Sequence, residues 1–188
     1  MTIWQAILLG LLQGATEFIP VSSSGHLLLV PWLLGWDPPG LTFSLAVHVG
    51  TALAVLAYFY QDWIAMASST IMWIRERKPI SGQAKLLALL IVGTIPAGVI
   101  GLMFEDFFER IFQSPLVGAI MLSVTALLLY AGERLGELTR KLNDLDWADA
   151  IFIGFAQALA IFPGISRSGA TIAAGRSRNI ERDAAAKF

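Results

Sequence analysis

The 188-residue sequence has no cysteine and only two histidines. Disulfides and thiolate metal centres are therefore excluded, and the redox state of the compartment leaves no mark on the chain. Charge is also scarce. Asp, Glu, Lys and Arg supply 14% of residues against 56% hydrophobic, whereas a soluble domain carries roughly a quarter charged. With a mean hydropathy of +0.67, this composition defines an integral membrane protein. A net charge of −1 lacks the clustered positive charge that phosphate-backbone binding requires, so no nucleic acid is expected as a partner. The N-terminus, MTIWQAILLGLLQG, has no basic n-region and no small-residue cleavage site, and reads as mature structure, not a signal peptide.

What is present is organised by length. Residues 41–60, 86–104 and 115–132 contain no formal charge, and each is long enough to cross a bilayer, which needs roughly 20 apolar residues. Residues 63–74 are uncharged but too short to span; with Trp63 and Trp73 they are expected at the interface. Arg75, Arg77, Lys78 and Lys85 place the loop after the first span inside, as do Arg134, Arg140 and Lys141 after the third. Glu105, Asp106 and Glu109, opposed only by Arg110, and Asp37 before the first span, mark the outer side. Trp4, Trp32, Trp36 and Trp147 are expected as interface anchors, and Gly50, Gly93, Gly98 and Gly101 as sites of close helix packing.

Displaced by 144 positions, residues 6–25 (AILLGLLQGATEFIPVSSSG) align without a gap on residues 150–169 (AIFIGFAQALAIFPGISRSG). Identities fall at Ala6/Ala150, Ile7/Ile151, Gly10/Gly154, Gln13/Gln157, Phe18/Phe162, Ser22/Ser166, Ser24/Ser168 and Gly25/Gly169. Each copy runs from an apolar helix through a proline, Pro20 or Pro163, into a serine-rich turn. Proline breaks a helix and serine caps the next one, so each copy predicts a re-entrant hairpin. Three crossings separate the copies, an odd number, so the repeats are inverted. The fold class expected is an all-α polytopic membrane protein with inverted-topology repeats in a single domain over 1–188. Repeat one covers about 1–133, and the start of an incomplete repeat two about 146–188.

A charge at membrane depth costs about 2.5 to 3.5 kcal/mol on insertion scales, so Glu17 and Arg167 ask for a reason. They could simply pair with each other and fix the hairpins. The surrounding groups exceed that need: Gln13, one turn before Glu17, then Ser22, Ser23, Ser24 and His26 in the first copy, and Ser166, Ser168 and Thr171 beside Arg167 in the second. An arginine with helix N-termini suits a phosphate. A carboxylate with a glutamine could hold a hard divalent cation. Histidine can act as nucleophile or as general acid and base. The set suits phosphoryl transfer, which is mostly positioning and charge stabilisation. Inverted repeats with broken helices also suit a secondary transporter or flippase for an anionic lipid or solute. His48, alone in its span, is expected to pack against a polar neighbour rather than to join the site.

The stretch from Gln13 to His26, QGATEFIPVSSSGH, and that from Pro163 to Thr171, PGISRSGAT, resemble the two signature motifs of the bacterial undecaprenyl-diphosphate phosphatases of the bacitracin-resistance type. The resemblance implies a multi-pass hydrolase of the bacterial inner membrane. It would remove the terminal phosphate of undecaprenyl diphosphate, recycle the lipid carrier of peptidoglycan synthesis and confer bacitracin resistance. It makes Glu17 and His26 catalytic, with Ser23 or His26 as nucleophile. Glu17 and Gln13 would lie near a magnesium or calcium ion, Gln13 standing where many members have glutamate. Arg167 would hold the diphosphate with Ser22, Ser166, Ser168 and Thr171. A prenyl diphosphate lipid is the implied partner, and a homodimer is admitted. The segment GRSRNIERDAAAKF resembles the family's connection into a further transmembrane helix, which implies a chain truncated at its C-terminus.

Overall fold

A computed structural model describes residues 1–77, 79–104, 114–134 and 138–188. Lys78 and the outer-loop residues Glu105, Asp106, Glu109 and Arg110 lie outside the described residues. Nine α-helices are found among the described residues: α1 Ile3–Phe18, α2 Ser23–Leu33, α3 Leu41–Tyr58, α4 Tyr60–Glu76, α5 Gly82–Met103, α6 Pro115–Arg134, α7 Trp147–Ala158, α8 Arg167–Ser177 and α9 Arg182–Lys187. Helices α3, α5 and α6 are long and apolar enough to cross a membrane, as the charge-free stretches predicted. Their outward residues, such as Leu45, Leu53, Leu102, Leu116 and Leu127, are more than half exposed. Such a surface needs lipid rather than water around it. Pro96 sits inside α5 without ending it. Helix α4 covers the short segment assigned to the interface and is held to α5 by the Ala84 amide, which donates to Ser69 Oγ at 3.2 Å.

The two hairpins begin alike. Thr2 caps α1 through a reciprocal pair with Gln5, and Asp146 caps α7 through the same reciprocal pair with Asp149, 144 residues later in both members. Such boxes satisfy backbone donors that a helix start leaves unpaired. Helix α1 ends just before Pro20 and α7 passes through a 3-10 turn, Leu159–Ile161, into Pro163.

Helix α6 serves as a ruler for their directions. Leu28 of α2 lies against Gly118 near the N-terminal end of α6, whereas Gly25, at the start of α2, lies against Leu122. Helix α2 therefore leads from the middle of α6 toward its N-terminal end. Helix α8 leads the other way: Gly169 lies against Thr125, and Ala173 against Gly132 near the C-terminal end. The hairpins thus enter from opposite ends, and both turns reach the middle of α6.

Close approach of backbones holds the second hairpin in place. A methyl group on Gly154 would lie 2.4 Å from Gly93 O, and one on Gly132 would lie 2.8 Å from Ala173 Cα. Gly93 thus packs closely as expected and Gly101 sits against Ile161. Gly50 and Gly98 differ from expectation, because a side chain there would meet nothing within 4 Å among the described residues. Of the four tryptophans expected as anchors, Trp4, Trp32 and Trp147 are exposed and Trp36 is half-buried.

The buried apolar cluster, including Leu89, Leu145, Ile153 and Ile180, lies at the basic end of the molecule. Ion pairs surround it. Arg140 grips Asp149 with both terminal nitrogens, and Arg178 Nε donates to Asp149 Oδ1 at 2.8 Å. Glu133 accepts from Arg176 at 3.0 Å and pairs with Arg182 at 2.7 Å, while Lys187 reaches Asp62 at 3.1 Å. Of the bases that marked the inner side, Arg140 is thus committed to a local acid, and Arg176, Arg178, Arg182 and Lys187 are paired as well. Arg140 also exchanges backbone bonds with the chain at Asn179 and Glu181, at 2.9 and 2.8 Å. This ties the chain before α7 to the chain after α8, closing the mouth of the hairpin.

Candidate active site

The turn between α1 and α2 needs an unusual backbone, with Ser22 at φ +67°. The turn between α7 and α8 places its positive φ on Gly164, at +96°, a conformation glycine adopts without steric cost. Past these points the two copies make the same bonds. Ser22 caps α2, accepting from the Gly25 amide at 3.3 Å, with Ser24 Oγ 3.2 Å away. Ser166 caps α8, accepting from the Gly169 amide at 3.0 Å, with Ser168 Oγ 3.1 Å away. The paired Ser-x-Ser-Gly is thus a capping device used twice. Its consequence is that two helix N-termini, with their free amides and positive dipole ends, open at one place.

The turns touch. A methyl group on Gly25 would lie 3.0 Å from Gly164 Cα, and one on Gly169 would lie 3.2 Å from Pro20 O. Thr125 of α6 bridges them to the span behind, donating to Gly164 O at 3.0 Å and accepting from the Ser166 amide at 3.0 Å. Thr125 is 2% exposed, and its hydroxyl uses both roles on the second turn, so it fixes where that turn sits.

Chemistry is divided between the copies. In the first, Glu17 Oε2 accepts from Gln13 Nε2 at 3.1 Å and, across the turn, from Ser23 Oγ through a short bond. Gln13 is wholly buried and its Oε1 has no partner among the described residues. His26 is half-buried and its Nδ1 lies 2.7 Å from Ser22 O. A carbonyl can only accept, so Nδ1 carries a proton, and in the neutral ring the lone pair is on Nε2. In the second copy Arg167 occupies the place of Ser23, Ile161 that of Glu17 and Ala170 that of His26.

Arg167 is exposed at the first position of α8, and its guanidinium forms no ion pair or hydrogen bond among the described residues. The simple alternative, a Glu17–Arg167 ion pair that only fixes the hairpins, is therefore not formed. Thr171 gives its proton to Arg167 O at 3.0 Å and Ser168 O at 3.2 Å, so in this orientation it can offer a ligand only its lone pairs. His48 has the polar neighbour that was expected of it. That neighbour is Glu17 itself, with Nε2 3.9 Å from Glu17 Oε2.

No group of three or more His, Asp or Glu side chains that could hold a metal occurs among the described residues. One carboxylate and the unpartnered Gln13 Oε1 still fit a magnesium or calcium ion that takes its remaining ligands from phosphate oxygens and water.

Fold and site together define a polytopic all-α membrane protein whose polar centre is built from two oppositely entering helical hairpins. Residues 6–188 match the family described as bacitracin resistance protein BacA, and the chain belongs to that family. Among its relatives, an undecaprenyl-diphosphatase of Moorella thermoacetica is 46% identical over the whole of this chain and 70% of its own length. An undecaprenyl-diphosphatase of Gemmatimonas aurantiaca is 45% identical, again covering all of this chain and 70% of the relative. The undecaprenyl-diphosphatase of Idiomarina loihiensis is 45% identical over all of this chain and 71% of its own.

Proposed function

We propose that the two touching turns form the catalytic centre of an undecaprenyl-diphosphatase of the bacterial inner membrane, which hydrolyses undecaprenyl diphosphate to undecaprenyl phosphate and inorganic phosphate. The observation that carries this is the uncommitted Arg167 guanidinium at the start of α8, beside a second capped helix start that holds an acid and an imidazole. Phosphate oxygens match a guanidinium fork and free helix amides, and two dipole ends favour the negative charge.

In this mechanism Arg167, with the helix starts capped by Ser22 and Ser166 and the hydroxyls of Ser168 and, once turned from its backbone acceptors, Thr171, holds the diphosphate. His26 Nε2 attacks the terminal phosphorus, and the bond to the bridging oxygen breaks, so that undecaprenyl phosphate leaves. Nδ1 keeps its proton on Ser22 O throughout. Water then attacks the phosphorus, giving its proton to Glu17, and the P–N bond breaks to release phosphate and restore the imidazole. Glu17, with Gln13 Oε1, would also hold a divalent cation, which when bound would neutralise charge on the phosphates. The short bond from Ser23 Oγ to Glu17 favours a second reading, in which Glu17 takes the Ser23 proton and Ser23 is the nucleophile. Acid quench of the enzyme with labelled prenyl diphosphate separates the two, since phosphohistidine is acid-labile and phosphoserine is not.

The test of the assignment is phosphate release from a prenyl diphosphate by detergent-purified protein. Arg167→Ala and His26→Ala should each lower it by about 10²-fold or more, as loss of positioning and proton-transfer groups does, while membrane insertion is retained. Full activity in either variant would remove that residue from the mechanism.

A further inference from the structure

Hydroxyls inside the helices mostly bond back onto their own helix, the usual habit of serine and threonine there. Thr16, Thr70, Thr94 and Ser123 each donate to the carbonyl four residues earlier. Thr125 of α6 does not: it donates to Gly164 O at 3.0 Å, 39 residues away, and its oxygen accepts from the Ser166 amide at 3.0 Å. Both bonds are buried and both fall on the second turn. On the same face of α6, two helical turns earlier, Gly118 O would lie 2.4 Å from a methyl group on Gly164. The turn is therefore seated backbone to backbone at one point and hydrogen-bonded at the other. The first turn has a different strap. There Glu17 and Ser23 bond across the turn and tie α1 to α2, but the matching positions of the second copy are Ile161 and Arg167, which cannot form that bond. An anchor from outside the hairpin takes its place.

We propose that Thr125 is a positioning residue for the phosphatase reaction: by holding the Gly164 carbonyl and the Ser166 amide together it fixes the start of α8, and so the place from which Arg167 reaches the diphosphate. This rests on the phosphatase reading given above. Ser166 caps α8 and directly precedes Arg167. Because the Arg167 guanidinium forms no ion pair or hydrogen bond among the described residues, the backbone that carries it sets its position. Thr125 is 2% exposed and acts through the turn, not on the substrate. A displacement of about 1 Å at such a group can cost about 10²-fold in rate. Span α6 also meets the first turn, where Leu122 lies against Gly25, so it is the common reference for both halves of the site.

Two substitutions separate the hydroxyl from the volume of the side chain. Valine keeps the shape and loses both bonds, whereas serine keeps both. Thr125→Val should raise KM for the prenyl diphosphate and lower kcat/KM about tenfold or more, while Thr125→Ser should stay within about threefold of the wild type. A variant that merely folded less completely would lose kcat with KM unchanged. Wild-type KM in Thr125→Val, or equal losses in the serine and valine variants, would overturn the proposal. A second measurement does not depend on phosphatase activity. Isoleucine precedes serine only at Ile80–Ser81 and Ile165–Ser166, so ¹³C-carbonyl isoleucine with ¹⁵N-serine isolates the amides of Ser81 and Ser166 in micellar protein, told apart with Ser81→Ala. Exchange of the Ser166 amide with deuterated water should be slow in the wild type and in Thr125→Ser, and about tenfold or more faster in Thr125→Val. Unchanged exchange in Thr125→Val would overturn the proposal, whereas faster exchange there, in a protein whose wild type releases no phosphate from a prenyl diphosphate, would sustain the anchor and fail the phosphatase reading alone.

Discussion

Asp149 holds two arginines at once, and its side chain is 0% exposed. Burial pushes its carboxyl up, but hydrogen bonds from Arg140, the Asp146 amide and Arg178, with the charge of Arg140, more than reverse this and hold the pKa at about 2, against 3.8 for a free aspartate. Arg140 is raised in turn, first by the hydrogen bond to Asp149. A carboxyl with a depressed folded-state pKa contributes stability above its unfolded pKa, and loses it as pH falls through the folded one. The shift corresponds to about 2 kcal/mol at neutral pH, lost between about pH 4 and pH 2. Asp149→Asn should therefore cost about 2 kcal/mol at pH 7 and flatten the acid limb of thermal unfolding in micelles. An unchanged acid limb in the variant would mean that Asp149 does not titrate as its partners require. The residue reaches the site indirectly, because Arg140 and Arg178 flank the hairpin whose turn presents Arg167.

Helices α5 and α7 meet where neither has a side chain. Gly154 has no room for a methyl group against Gly93 O, whereas its repeat partner Gly10 meets nothing within 4 Å. Overpacking of this kind costs about 1–3 kcal/mol, while alanine for glycine in an open helix position gains about 0.5–1 kcal/mol. Gly154→Ala should then lower the unfolding temperature and phosphate release together, and Gly10→Ala should leave both intact or raise the first. Equal tolerance at the two positions would show that α7 does not seat against α5 this closely. The pair also marks what the sequence could reveal. The 144-residue spacing, the spans, both turns and the Gln13–Glu17 step are local or repeated, so periodicity and alignment expose them. The Ser23–Glu17 bond depends on how the chain bends through Ser22 at positive φ, which serine seldom adopts. The meeting of His48 with Glu17 joins α3 to α1, and a lone histidine in an apolar run carries no sign of the helix it faces. The inner acids were hidden for the same reason: Asp149 and Glu133 meet their arginines 29 and 43 residues away.

At the scale of the whole molecule, the return arms α2 and α8 have 11 residues each, about 16 Å at 1.5 Å per residue. That is half of a hydrocarbon core about 30 Å thick, so arms entering from opposite faces and touching at their starts put those starts near the midplane. Polar backbone ends are tolerated at that depth only where protein or a water-filled cavity surrounds them. A lipid diphosphate fits this arrangement, since its prenyl chain can stay among the tails while its head reaches the capped helix starts. The arrangement requires that the end of α2 and the mouth of the second hairpin lie on opposite sides. Asp37 follows α2 at the end marked by Gly118, and Asn143 sits beside Arg140 at the end marked by Gly132 and the ion pairs. Because the chain has no cysteine, one introduced thiol gives an unambiguous label. Asp37→Cys should react with an impermeant maleimide on intact spheroplasts, and Asn143→Cys only after permeabilisation. Reaction of both from the outer face would place the hairpins on one side, and two helix starts could not then converge from opposite leaflets on a single diphosphate.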